Sequence, residues 1–248
     1  MQSKSSFLEN KNILITGGTG SIGSAVLDRV LKLNPKKVVV FSRDEYKQHQ
    51  LKYKYANKKN IIFLIGDVRD TESVVNATKD IDVIFHCAAL KHVPISEQQP
   101  EEFIKTNILG SINVKKAGIL NNVDTIVSIS SDKAVNPQNV MGLTKAIQEK
   151  ICQSDASSAS KNRTKCINVR FGNVIGSHGS LFPILFHQIK NNIPLTLTHP
   201  DITRFYMSID EAVDLIFWAG ENGKDGETII KKMKAFRIDD LMTQFLLV

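Results

Sequence analysis

An apolar triplet, Ile13-Leu14-Ile15, runs into Thr16-Gly17-Gly18-Thr19-Gly20-Ser21-Ile22-Gly23, and an amphipathic segment follows at once. A glycine triplet alone constrains little. Between a strand and a helix it constrains a great deal. Gly17 permits a sharp turn, Gly20 lets the backbone approach a pyrophosphate, and Gly23 lets helix and strand pack closely. Ile22, Val26 and Val30 line one helix face with Leu27 and Leu31 beside them, and Val38–Phe41 reads as the next strand. The helix N-terminus then offers unpaired N–H groups and a positive dipole end, so Thr19, Ser21 and Ile22 complete a dinucleotide cradle. The expected fold class is α/β, a doubly wound parallel sheet.

The second strand ends in Phe41-Ser42-Arg43-Asp44-Glu45. NAD sites usually place an acidic residue at this strand end, on the ribose 2′-hydroxyl. Here Ser42 and Arg43 come first, which favours a 2′-phosphate and hence NADP, with Lys47 as a second positive contact. Asp44 and Glu45 close behind keep NAD in view. A third strand, Ile61–Ile65, leads to Asp67-Val68; Asp67 either accepts from an adenine amino group or caps the helix near Thr71. A fourth, Val83–His86, ends in Cys87-Ala88-Ala89-Leu90-Lys91-His92. Ala88 and Ala89 are small enough for ribose and nicotinamide to lie against the backbone. His86 reads as a packed, hydrogen-bonded histidine, whereas Lys91 and His92 are placed for a ligand.

Pro100 to Asn121 carries a helical pattern in which Asn107 is polar and suited to bracing the active-site strand. Thr125–Ile129 is a fifth strand, opening into Ser130, Ser131, Asp132 and Lys133. Asn136-Pro137 reads as a helix start, with Met141 and Lys145 sharing one face at i,i+4. An acid, a base, two hydroxyls and a second lysine thus gather at a strand's carboxyl end, where open parallel sheets bind ligands. Cys166–Arg170 is a sixth strand, followed by a glycine- and serine-rich segment suited to a second phosphate, a helix over Leu181–Ile189, a short strand near Leu195–Leu197 and a helix from Asp210 to Ala219. Residues 154–165 read as a polar surface loop. A cofactor domain over 1–175 and a smaller substrate lobe over 176–248, intertwined with the first, are expected.

Composition excludes several classes. No apolar run approaches the roughly 20 residues that span a bilayer, and the N-terminal Met1–Asn12 lacks a secretory hydrophobic segment, so a cytoplasmic location is the default. Cys87, Cys152 and Cys166 are odd in number and lack metal-ligand spacing; they read as free thiols, with no metal site expected. The net charge of +7 (32 basic, 25 acidic) is scattered, and no nucleic-acid motif accompanies it. It reads as a solvated basic surface with affinity for small polyanions.

Taken together, T-G-x-x-G-x-x-G, a strand-end Asp-Val, S-S-D-K and a lysine on the following helix resemble the extended short-chain dehydrogenase/reductases of Rossmann fold. FSRDEYKQ, GDVRD, AALKHVP, KTNILGSINV, SSDKAVNP, RFGNVIGSHGS and PDITRFYMSIDEAV narrow the resemblance to the soluble UDP-N-acetylglucosamine 4,6-dehydratase/5-epimerase (inverting) family, over about residues 11–243. That resemblance implies NADP as cofactor, a UDP-N-acetylglucosamine substrate, a 4-keto-6-deoxy product for surface-glycan synthesis, no net redox change, and a homo-oligomer. It assigns Asp132 as the acid at carbon 6 and Lys133 as the base at carbon 5, roles that require opposite pKa shifts. Ser131 would hold a water, Lys145 the nicotinamide ribose, and Asn173 and Ser180 the substrate diphosphate, with Arg204 on the sugar nucleotide. Two departures stand out. Met141 occupies the place where the wider superfamily has a tyrosine, and a thioether has no proton to exchange. The chain also stops soon after Met242, short of a basic segment that family members carry, so the small lobe looks truncated. A retaining dehydratase, another nucleotide-sugar epimerase and a catalytically silent NADP-binding protein are the alternatives.

Overall fold

The computed structural model describes residues 6–154, 164–177, 179–195, 199 and 201–246. Its strands in chain order are β1 (Asn12–Thr16), β2 (Lys37–Ser42), β3 (Ile61–Ile65), β4 (Val83–His86), β5 (Thr125–Ile129), β6 (Lys165–Arg170), β7 (Asn173–Val174), β8 (Thr203–Met207), β9 (Thr228–Ile230) and β10 (Lys234–Arg237). The helices are α1 (Ser21–Val30), α2 (Glu45–Lys54), α3 (Thr71–Ala77), α4 (Val93–Gln98), α5 (Pro100–Phe103), α6 (Gly110–Leu120), α7 (Val140–Gln153), α8 (Leu181–Lys190), α9 (Ile209–Asn222) and α10 (Ile238–Leu246). A seven-stranded sheet has the order β3-β2-β1-β4-β5-β6-β9, and every pairing in it is parallel. The expected doubly wound sheet is present, with its reversal of strand order between β1 and β4.

The central strands are apolar almost throughout because both sheet faces are covered. Ile13, Ile15, Phe85 and Val127 point to one face, where Val26, Leu27 and Val30 of α1 meet Ala212, Val213 and Ile216 of α9. Leu14, Ile84 and Ile126, one residue out of step, point to the other, against Val74 of α3, Val114 of α6 and Cys152 of α7. That alternation is the two-residue strand period. Edge strand β3 is wetter, and its Ile65 is 58% exposed. A second sheet, β10-β8-β7, carries a small core of Leu185, Tyr206, Ile238 and Met242 with α8 and α10. Residues beyond 175 therefore serve both layers, since α9 and β9 return to the large sheet.

Several local expectations are corrected. The helix after β5 begins at Val140, not at Asn136-Pro137: Asp132–Ala134 form a 3-10 turn, Asn136 takes a positive φ of 45°, and the Asn139 side chain accepts from Gly142 N at the true helix start. Met141 and Lys145 still share a face. The 100–121 helix is interrupted by a π-helical turn, Ile104–Leu109, that apolar periodicity does not signal. Asp70, rather than Asp67, caps α3. Leu195 lies outside any strand, while 196–198 and most of the 154–165 loop lie outside the described residues.

Candidate active site

The glycine turn closes on the chain that follows β4. Gly17 has φ +65°, and a Cβ there would lie 2.7 Å from the backbone N and Cα of Ala88. A Cβ on Gly23 would lie 2.3 Å from Gly17 O, so helix and turn are in direct contact. Gly20 is the N-cap of α1, and no side chain caps that helix start. Thr19, Ser21 and Ile22 surround it, and the arrangement suits a pyrophosphate held by backbone N–H groups. The residues present fit a dinucleotide.

At the carboxyl ends of β2 and β3 the side chains are already paired. Gln48 donates to the Ser42 carbonyl and to Ser42 Oγ, both at 3.0 Å. Asp44 caps α2 through Lys47 N and pairs with Lys47 Nζ at 3.0 Å. Arg43 reaches Asp67 at 3.5 Å, and Arg69 holds the same carboxylate through Nε at 2.8 Å. Burial works to raise the Asp67 carboxyl, but hydrogen bonds from Arg69 and the charges of Arg43 and Arg69 hold it below the usual carboxylate range. The Val68 side chain is buried, and its carbonyl accepts from Asn113.

Behind the cradle, His86 is fully enclosed. Ser111 Oγ donates to Asn107 O at 2.7 Å, so its proton is committed and His86 Nε2–H donates to Ser111 Oγ at 3.0 Å. His86 Nδ1 is then the acceptor for Thr16 Oγ1 at 2.8 Å. Burial first, and then the charge of Lys145, drive the imidazole down to about 3. It stays neutral, as a packed histidine should. Burial likewise pushes the Cys87 thiol up to about 12, against the pull of Lys145. Asn107, carried on the π-helical turn, accepts from Leu90 N at 2.8 Å and donates to Leu90 O and Thr144 Oγ1. The loop carrying Ala88, Ala89 and Lys91 is thereby fixed. Partial burial and the neighbouring Lys133 hold the Lys91 ammonium below the ordinary lysine range.

The acid and base meet where β5 ends. Lys133 Nζ donates to Asp132 Oδ1 at 3.0 Å, Ser131 Oγ donates to the same oxygen at 2.9 Å, and Ser131 Oγ accepts from Lys133 N at 3.3 Å. The turn is pinned to β6 by Ser130 N to Val169 O at 2.7 Å and Asp132 N to Phe171 O at 3.0 Å. Lys145 is 5% exposed; its Nζ donates to Ile129 O at 2.8 Å and Gln148 Oε1 at 2.7 Å. Burial pushes it down to about 8, opposed by Cys87 and Glu149. Met141 is buried beside this turn, its N–H donating to Ser96 Oγ at 3.3 Å.

Beyond β6 the assembly is partial. Asn173 follows Phe171-Gly172 and so sits two residues from the carbonyl that pins Asp132. Gly179 packs against His92, for a Cβ on it would lie 2.2 Å from the imidazole Cε1. That brings the Ser180 segment next to the Lys91 loop. Ser180 is the N-cap of α8, yet its buried hydroxyl makes no hydrogen bond. Arg204, on β8, is exposed and donates to Thr203 O; among the described residues no hydrogen bond or ion pair joins it to the acid–base turn. His178 lies outside the described residues.

Sequence reading missed Ser111, Gln148 and Glu149, which contact the groups above, and Arg170, which holds Glu149. A signal existed: Lys145, Gln148 and Glu149 stand at i, i+3 and i+4, a polar stripe on an otherwise apolar helix face. Among the described residues no cluster of His, Cys, Asp or Glu could hold a metal ion, and no helix is long and apolar enough to cross a membrane. All three cysteines are free thiols.

A family profile described as "Polysaccharide biosynthesis protein" matches residues 13–248. The chain belongs to the polysaccharide biosynthesis protein family. Among its relatives, a UDP-glucose 4-epimerase of Rickettsia bellii is 46% identical over 236 residues, covering 94% of this chain and 69% of that protein. Among solved structures, Pen from Bacillus thuringiensis superposes with a TM-score of 0.94 at 42% identity, over 97% of this chain and 78% of that one. DesIV of Streptomyces venezuelae, a dTDP-glucose 4,6-dehydratase solved with NAD bound, superposes at 0.86 and 20% identity, over 95% of this chain and 80% of that one. The last likeness establishes the shared Rossmann-type fold. The Rickettsia relative carries the name of a nucleotide-sugar epimerase, and this chain is shorter than the neighbours it superposes on.

Proposed function

We propose that the protein is an NADP-dependent 4,6-dehydratase of UDP-N-acetylglucosamine that also inverts carbon 5, giving a 4-keto-6-deoxy sugar nucleotide for surface-glycan synthesis. The observation that carries this reading is the Asp132–Lys133 pair, 3.0 Å apart at the end of β5 beside a buried Lys145. An epimerase acting at carbon 4 alone needs one hydroxyl proton moved. A dehydratase needs an acid and a base side by side, and this turn supplies them.

The cofactor would be held by the Gly17–Gly23 turn at its pyrophosphate, by Ala88 and Ala89 against the ribose, by Lys145 on the nicotinamide ribose, and by Ser42 and Arg43 at the 2′-phosphate. When bound, the nicotinamide supplies the hydride acceptor and donor for the sugar. The protein's own work is proton transfer. Proton movement along the Lys133–Asp132 hydrogen bond turns the ion pair into a carboxylic acid and a free amine, the two forms the elimination requires. Covering the pair with substrate removes water and favours the uncharged members. With carbon 4 oxidised, Lys133 takes the proton from carbon 5 while Asp132 delivers one to the departing 6-hydroxyl. Met141 cannot relay the 4-hydroxyl proton, so a water on Ser131 carries it to solvent and the Lys133 amine stays free for carbon 5. Asn173, Ser180, Lys91 and Arg204 would hold the nucleotide sugar, with residues 1–175 as cofactor domain and 176–248 as substrate lobe. A cytoplasmic location and homo-oligomeric assembly belong to the same reading, the assembly being open to sedimentation of the purified protein.

A second reading is a nucleotide-sugar 4-epimerase, favoured by the name of the Rickettsia relative. Incubation with UDP-N-acetylglucosamine in D₂O separates them. Loss of one water, a new 6-methyl proton signal and deuterium at carbon 5 are expected, with ring couplings showing inversion. Carbon-4 inversion without water loss would replace the dehydratase by the epimerase. Unchanged sugar from folded, NADP-loaded protein would leave a silent binder.

A further inference from the structure

Glu149 is 5% exposed, and its carboxylate accepts three hydrogen bonds from two other segments. Arg170 grips it as a fork, Nε to Oε1 at 3.0 Å and an Nη to Oε2 at 2.5 Å. Ser130 Oγ donates to Oε1 at 2.5 Å. Ser130 is the residue that opens the acid–base turn. Arg170 lies between Val169 and Phe171, whose carbonyls pin Ser130 N and Asp132 N. The same turn of α7 binds the residues just before Ser130: Gln148 donates to Ser128 Oγ at 2.7 Å and Ile129 O at 3.1 Å, and Lys145 donates to Ile129 O. One stripe of α7 therefore holds 128, 129 and 130 in succession.

We infer that the Glu149–Arg170 pair is a positioning device that fixes the Ser130–Lys133 turn in register with Lys145. The inference rests on the roles given above to Asp132, Lys133 and Lys145. With Glu149 buried and Arg170 partly buried, the ion pair is a poor source of net stability, because desolvation offsets much of the attraction. A pair held for stability alone would be as well served by apolar packing. What apolar side chains cannot supply is a directional grip on a serine hydroxyl together with a negative charge one helical turn from Lys145. The titratable groups facing Lys145 are Cys87 and His86 from the end of β4 and Glu149 on its own helix. Asp132 and Lys133 are paired with each other, Arg170 is neutralised by Glu149, and Glu97 of α4 sits at the far end of α7 on Val140 N. Glu149 is thus the carboxylate that supports the Lys145 ammonium.

The test uses the full chain and Glu149→Gln, which keeps the shape and removes the charge. Turnover of UDP-N-acetylglucosamine should fall about tenfold to a hundredfold in kcat, with KM within about threefold, as expected for a misplaced acid–base turn. NADP affinity is read separately by titration across pH. In the native protein it should weaken as pH rises through about 8; in Glu149→Gln the weakening should begin at lower pH, because a charge that raises the Lys145 ammonium is gone. Arg170→Lys retains the charge and loses the fork, so kcat should fall with the affinity profile in place. A Glu149→Gln protein with kcat within twofold of native, or with a superimposable affinity profile, would overturn the inference. Should Glu149→Gln not fold, Ser130→Ala decides: lost kcat at constant KM supports the device, and native kcat overturns it. If the native protein turns over no nucleotide sugar, the proposed reaction fails while the affinity profile still judges the pair. Binding of neither NADP nor NAD would overturn both.

Discussion

Met141 and Lys145 lie one turn apart on a single face of α7, both buried, and their side chains differ in what they can offer. The thioether contributes bulk and no proton. Lys145 contributes charge, but two of its N–H groups are committed to Ile129 O and Gln148, so it is held as a fixed ligand rather than a mobile base. The freer group is Lys133, whose side chain is 30% exposed and whose ionic partner among the described residues is the adjacent Asp132. Lys133→Met should therefore abolish turnover, by about a thousandfold or more if it is the carbon-5 base, while NADP affinity stays within about threefold. Fluorescence titration of the cofactor beside a turnover assay checks both halves. Equal loss of cofactor binding would move Lys133 out of catalysis and into the cofactor site.

At the scale of elements, the strands and the glycine turn were legible because each rests on local rules: apolar runs of strand length, glycines at fixed offsets, a lysine one turn from its partner position. The turn that matters most was not. Asn136-Pro137 has the signature of a helix start, yet the Asp132–Ala134 turn and the Asn139 cap displace the helix by three residues. Tertiary bonds from Val169 and Phe171 decide that geometry, and nothing local encodes them. Glu149 and Arg170 are 21 positions apart in sequence, beyond the reach of any periodicity. The π-helical turn is a similar case. It rotates Asn107 inward so that one amide satisfies Leu90 N, Leu90 O and Thr144 together. Asn107→Ala strands those groups, and stability should drop by about 2–4 kcal/mol, on the scale of one to two buried polar groups left unpaired. Denaturant unfolding checks this. A loss under about 0.5 kcal/mol would show that the Leu90 loop is held by other means.

At the scale of the whole molecule, two buried groups tilt stability in the same direction with pH. His86 titrates near 6.5 when unfolded and near 3 when folded, so between those values the unfolded chain takes up a proton the folded one refuses. Its contribution is complete above 6.5 and is lost as pH falls toward 3, at about 1.4 kcal/mol per pH unit. Lys145 titrates near 10.5 unfolded and near 8 folded, so its burial penalty is relieved as pH rises from about 8 to 10.5. Both slopes are positive. The carboxylates held low by partners, such as Asp44 and Asp67, have ordinary values of 3.8 and release their stabilisation only as pH drops to that value and below. The interval from pH 6.5 to 5 therefore isolates the histidine. Urea midpoints should decline across that interval in the native protein. They should decline less in His86→Gln, whose amide can still meet Thr16 and Ser111 but takes up no proton. Parallel declines in the two proteins would mean that His86 is protonated in the folded state, and the Ser111-to-His86 chain behind the cofactor cradle would have to be redrawn with both ring nitrogens as donors.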